Sequence, residues 1–252
     1  LSDQEEKILS LRASRHIHIT EPNPSPIDNP LRQMLFLSNL LVTIPKDPES
    51  LKRLPHGAHL IKKLKKITAE KQRYWFDHPI QMGVPNENNE AIYGLRELDN
   101  AISFEKEKRG AQPGDPLTCL LSVSVTHEGL HGIVKDYLKD VYADTEPFEH
   151  LNIYLFSEND TDRILTEILL PAMEKYMGLS KGDTLRGVFG VDGEYGRHYS
   201  FLKAMTAFWQ VLIDPVVKGS FKLDLDQVFD QKALVKETGS SALEHFTTSL
   251  WG

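Results

Sequence analysis

The sequence predicts an α/β protein: a mostly parallel β-sheet with flanking helices, preceded by a helical N-terminal region. Three observations carry this. From residue 117 to 225, short runs rich in Val, Leu, Ile and Phe alternate with longer stretches of helical periodicity, the grammar of a parallel sheet wound right-handedly. Before that region, apolar residues recur at helical spacing. Between the two lies Gly110-Ala111-Gln112-Pro113-Gly114-Asp115-Pro116, whose glycines and prolines interrupt both kinds of regular structure. Residues 1–115 therefore read as a helical N-terminal region and residues 116–252 as the sheet-bearing domain.

In chain order, Asp3 to Arg15 predicts a charged helix with apolar positions at Ile8, Leu9 and Leu11. Prolines 22, 24, 26 and 30 make Thr20 to Pro30 a loop. Leu31 to Val42 repeats Leu and Met at helical spacing and reads as a helix. Lys52 to Trp75 reads as another, interrupted near Pro55-His56-Gly57, and its cluster Lys62-Lys63-Leu64-Lys65-Lys66 as a solvated face. Tyr74-Trp75-Phe76-Asp77-His78-Pro79 suits core packing or an interface. A helix follows from Asn88 to Lys108, with Ile92, Leu95, Leu98 and Ile102 on one face.

Beyond the breaker, Leu117 to Val125 is a β-type run in which Ser122 and Ser124 alternate with Val. A helix over 130–141, a strand over 151–156 and a helix over 160–176 come next. Thr184 to Gly190 reads as a third strand, 195–213 as a helix, and 221–225 as a fourth strand before a helix from Gln231.

Composition narrows the function classes. A formal charge of -7 argues against a nucleic-acid partner. The single cysteine, Cys119, excludes an internal disulfide framework and a Cys-based zinc cluster, and its apolar setting predicts a buried structural thiol. No apolar stretch approaches the ~20 residues of a membrane span, and nothing resembles a signal peptide, so the expectation is a cytoplasmic protein without a transmembrane segment. The opening at Leu1 and the apolar ending Ser249-Leu250-Trp251-Gly252 lead to the expectation of a segment of a longer polypeptide.

Parallel sheets bind ligands beyond the carboxyl ends of their strands. The expected strand ends carry Thr126-His127-Glu128, Ser157-Glu158-Asn159-Asp160 and Asp224-Leu225-Asp226-Gln227. Between the last two, Gly190 to His198 opens a helix. Taken in order over residues 117 to 240, these pieces resemble the core of GT-A-type glycosyltransferases.

The resemblance implies a nucleotide-diphosphate-sugar donor of the UDP or GDP type, an acceptor it does not specify, and a bound Mn²⁺ or Mg²⁺. Thr126, His127 and Glu128 would stand where the family holds the base, and Glu158 and Asp160 where it contacts base or ribose. Arg197 would lie near the diphosphate, with Lys203 and Lys222 as further candidates. Asp224 and Asp226 would form the Asp-x-Asp turn, Asp226 on the metal and Asp224 on ribose or metal-bound water. The chemistry suits the pattern: two adjacent phosphates beside the scissile bond call for a cation with hard oxygen ligands. Read as residues alone, Asp224 and Asp226 also fit a solvated turn with one carboxylate capping the next helix. Glu158 and Asp160 fit helix capping, and Arg197 a surface residue in a first helical turn. The family's catalytic base has no counterpart here. It lies in the acceptor half, after the Asp-x-Asp, and only 26 residues follow Asp226.

Two other readings stay open. His127-Glu128-Gly129-Leu130-His131 matches the His-Glu-x-x-His pattern of zinc metallopeptidases, which on a helix sets two imidazoles one turn apart beside a general base. His150, Glu158 or Glu167 would supply a third ligand. Against it, the preceding residues read as a strand, and Gly129 weakens a helix. The remaining reading is a non-catalytic nucleotide-binding or interaction module.

Overall fold

The computed structural model describes residues 3–14, 21–73, 78–110, 116–189, 198–228 and 230–249. The expected fold class holds: five parallel strands form one sheet with helices on both faces. The strands are β1 (Met34–Thr43), β2 (Ile80–Gln81), β3 (Leu117–Val125), β4 (Leu151–Ser157) and β5 (Gly219–Lys222). β3 lies on one side of β1, with β4 outside it. On the other side β5 pairs with the first half of β1 and β2 with its end.

Several elements differ from expectation, each for a physical reason. The segment expected as a helix over Leu31–Val42 is a single turn, α2 (Pro30–Gln33), followed by β1, the centre of the sheet. All ten residues of β1 are buried. A strand covered on both faces shows no alternation, so its apolar run imitates a buried helix. Strands from both sides of residue 116 thus pair in one sheet. Lys52–Trp75 is interrupted at Pro55-His56-Gly57 as expected, but the piece before the break is a 3₁₀ segment (Pro48–Arg53) and α3 (Gly57–Ile67) ends well short of Trp75, which lies outside the described residues. Thr184–Gly190, expected as a strand, lies largely in α8 (Gly182–Phe189), and Phe189 packs on the core of the sheet's second face. The expected fourth strand begins earlier, at Gly219.

The remaining helices are α1 (Asp3–Ser14), exposed throughout, α4 (Glu90–Lys108), α5 (Val134–Ala143), α6 (Glu158–Ile164), α7 (Leu170–Met177), α9 (His198–Phe208) and α10 (Gln231–Thr238). A π-turn at Leu165–Leu169 joins α6 to α7. Pro171 lacks an N–H and crowds the carbonyl of Glu167, and the wider turn relieves both problems.

Period-2 alternation sorts the strand side chains. Phe36, Leu40 and Val42 of β1 and Cys119, Leu121, Val123 and Val125 of β3 enter the larger core, beneath α3, α4 and α5. Leu35, Leu37 and Leu120 enter the smaller core on the second face, covered by Leu202, Met205 and Trp209 of α9 and the turn after it. Toward the carboxyl ends this second face changes character. Asn39, Thr43, Ser122, Ser124 and Thr126 follow, all buried, with Leu41 between the two polar residues of β1.

Candidate functional site at the carboxyl ends of the strands

β1 turns the strand order around. The chain passes from β1 to β3 and β4 on one side and later returns to β5 on the other. At such a reversal the connections diverge and leave a crevice beyond the strand ends. Asp224 and Asp226 leave β5 beside this reversal. Leu223 N–H still donates to Leu37 O at 2.9 Å, and Ser38 Oγ donates to Leu223 O at 2.8 Å. Leu223 and Leu225 are buried in the larger core, whereas Asp224 and Asp226 are exposed. The Asp224 carboxylate pairs with Lys222. Gly94 of α4 lets the turn sit this close, since a Cβ there would lie 2.6 Å from Leu225 Cα.

At the ends of β3 and β4 the polar groups are knitted to one another. Thr126 N–H donates to Val42 O at 3.1 Å, and Thr126 Oγ1 donates to Thr43 Oγ1 at 2.7 Å. His127 Nδ1 lies 2.8 Å from Thr126 Oγ1. With that hydroxyl donating to Thr43, Nδ1–H donates to it and Nε2 keeps its lone pair. Burial holds the His127 pKa below the ordinary imidazole range, against the pull of Glu70. Arg73 closes the group from outside. Its N–H donates to Thr126 O at 3.0 Å, and its Nη1 lies 2.7 Å from Glu128 Oε2 and 3.2 Å from His131 Nε2. Glu158 is buried, with Oε2 3.7 Å from His131 Nε2.

Asp160 serves as a cap. Its carboxylate accepts from Ser157 N–H and Oγ–H, both at 2.8 Å, closing a capping box at the start of α6. It also pairs with Lys135 at 2.9 Å. Burial raises its pKa, but the Lys135 and Ser157 donors outweigh burial and leave it below the usual carboxyl value. Arg197 lies outside the described residues. Lys203 is exposed on α9.

The His-Glu-x-x-His segment does not form the helical arrangement that two zinc-binding histidines need. His127 is extended, at φ -129° and ψ 142°, and Glu128–Gly132 is a 3₁₀ turn. Moreover, the Arg73 guanidinium occupies the His131 Nε2 lone pair and neutralises Glu128, so a cation would meet positive charge there. Among the described residues, no group of three or more His, Cys, Asp or Glu could hold a metal ion.

Asp224 and Asp226 are exposed carboxylates on one turn, hard oxygen donors of the kind Mg²⁺ and Mn²⁺ take, although Asp224 is paired with Lys222.

The sequence reading missed Asn39, Thr43 and Arg73. A lone Asn inside the run Leu35–Val42 was the available signal for the first. Ser122 and Ser124 had been noticed as alternation without any role.

Compared with protein-family models, curated proteins and solved structures, the chain matches none. No described helix is long and apolar enough to cross a membrane.

Proposed function

We propose that this chain is the donor-binding part of a GT-A-type glycosyltransferase, taking a nucleotide-diphosphate sugar and a divalent cation beyond the carboxyl end of β5, alongside the second half of β1. The observation that carries the reading is the Asp224-Leu225-Asp226 turn, which leaves β5 where the strand order reverses around β1. Parallel sheets of this kind bind nucleotides at that point. The buried polar row on the same sheet face, next to an apolar floor, supports it further.

In this reading Asp226 binds the cation and Asp224 a ribose hydroxyl or a metal-bound water. When bound, the cation stabilises the negative charge of the leaving diphosphate as its bond to the sugar breaks. Lys222, paired with Asp224 in the free protein, exchanges that carboxylate for a phosphate oxygen in this reading. Thr126 and His127 form a rigid floor beside the base, because their mutual hydrogen bonds fix both strand ends.

The deciding experiment is calorimetric titration with UDP and with GDP, each with and without Mn²⁺, on the wild type and on Asp226→Asn. The expected result is metal-dependent binding of one nucleotide, weakened at least about 100-fold by the substitution. Failure of both nucleotides to bind would sink the reading.

A further inference from the structure

The buried polar row contains one side chain whose hydrogen-bonding needs the fold leaves unmet. Asn39 is only 8% exposed, and among the described residues neither Nδ2 nor Oδ1 has a partner. Buried polar groups in native proteins are nearly always satisfied, so an orphaned carboxamide in the central strand calls for a cause. Its surroundings supply one. On one side, Asn39 stands in register with Ser122 of β3. On the other, Leu37 pairs with Lys222 and the ladder continues through Leu223, which brings Asp224 to the level of Asn39. Just below, Leu37 and Leu120 are sealed by Leu202, Met205 and Trp209. Asn39 is thus the first polar position above an apolar floor, between the first carboxylate of the Asp-x-Asp turn and a buried serine.

We propose that Asn39 reads the ribose of the bound nucleotide, engaging its vicinal hydroxyls. The inference rests on the donor-site reading given above. The carboxamide carries two donors and one acceptor, and both ends are unmet. A phosphate only accepts, so it would satisfy Nδ2 and leave Oδ1 stranded. A pair of hydroxyls, each able to donate and accept, satisfies both ends together. Asp224, to which the donor reading gives a ribose hydroxyl or a metal-bound water, follows Leu223 on the neighbouring strand.

This assignment separates stability from binding. Replacing an unmet buried amide by an apolar side chain of similar shape removes a destabilising group from the free protein and a ligand contact from the complex. Asn39→Leu is therefore expected to melt at or above the wild-type temperature, yet to bind its nucleotide about tenfold more weakly or worse. The test is calorimetry with Mn²⁺ and UDP, GDP and their 2′-deoxy forms, on the full chain and on Asn39→Leu, with Asn39→Ser carrying the comparison if the larger side chain lowers the melting temperature. Wild type should prefer the ribonucleotide by about tenfold or more, and the variants should lose most of that preference. Undiminished ribonucleotide affinity in both variants, while Asp226→Asn fails to bind, overturns the inference and leaves the donor site standing. Equal wild-type affinity for ribo- and deoxynucleotide also overturns it and assigns Asn39 to another part of the ligand. If wild type binds no nucleotide at all, the donor reading fails and this inference fails with it.

Discussion

Gly94 shows how a single missing methyl group shapes the candidate site. Because it brings α4 against the backbone of Leu225, the Asp224–Asp226 turn is held by a helix as well as by β5. A side chain there must push the turn away, since its nearest neighbours are main-chain atoms that cannot rotate aside. Gly94→Ala should lower stability by about 1–3 kcal/mol and reduce Mn²⁺-dependent nucleotide affinity in the protein that remains folded. A variant with unaltered melting and affinity would contradict this placement. Two histidines give opposite pH signatures at the same scale. His127 has a lowered pKa through burial, so its contribution is present above the unfolded value and fades as the pH falls through that range toward the folded one. His56 has a raised pKa, first through its hydrogen bond to Asp140 (2.7 Å) and then through the charge of that carboxylate. Its contribution is complete below the unfolded value and is lost as the pH rises through the folded one. Thermal melts at about pH 6 and about pH 8 should therefore show Asp140→Asn costing more at the lower pH and His127→Gln costing more at the higher. Cys119 adds no reactivity: burial pushes its thiol up to about 12, as its apolar setting in the sequence led one to expect.

At the scale of elements, α4 is the part that joins the candidate site to the rest of the fold. Its first half meets the Asp-x-Asp turn at Gly94, and its last turns carry Glu105, 1% exposed. The Glu105 carboxylate accepts from Gln231 Nε2 at 2.8 Å, Ser241 Oγ at 2.7 Å and Leu243 N–H at 3.2 Å. Glu105→Ala should leave those donors buried and unmet, at about 2–3 kcal/mol, while nucleotide affinity of the folded protein stays unchanged. The contrast with Gly94→Ala, read by the same two measurements, separates the two ends of one helix. The legibility of elements followed their environment. α4 was readable because one face is buried and the other wet, and β3 and β4 because turn signals bound them. β1 was not, since burial on both faces erases the alternation that marks a strand. α8 was misread because Val188-Phe189 reads as part of a short β-type run, although Leu185, Val188 and Phe189 fall at helical spacing. The polar strand ends were legible as clusters, but their partners were not. Nothing near residue 73 in the sequence announces that Arg73 meets Glu128 and His131, because that meeting depends on where α3 delivers the chain.

For the whole molecule, the arrangement of charges bears on both metal chemistries that the sequence suggested. The histidine motif is held by Arg73 and Thr126, and in the Asp-x-Asp turn Asp224 is paired with Lys222 while Asp226 is exposed. Elemental analysis of the purified protein is expected to find no stoichiometric zinc, and His131→Ala should leave Mn²⁺-dependent nucleotide binding intact. One zinc per chain, lost on that substitution, would reverse the assignment. The sheet's connectivity also has a consequence in time. Ser38 and Leu223, 185 residues apart, are hydrogen-bonded side by side. At about 5–20 residues per second of synthesis, the central strand waits on the order of ten seconds or more for its last neighbour. Throughout that wait the first half of one edge of an apolar strand stays unpaired, a template for wrong partners. Ribosome-arrested chains that stop before Gly219 should therefore remain protease-sensitive, with resistance appearing once β5 has emerged.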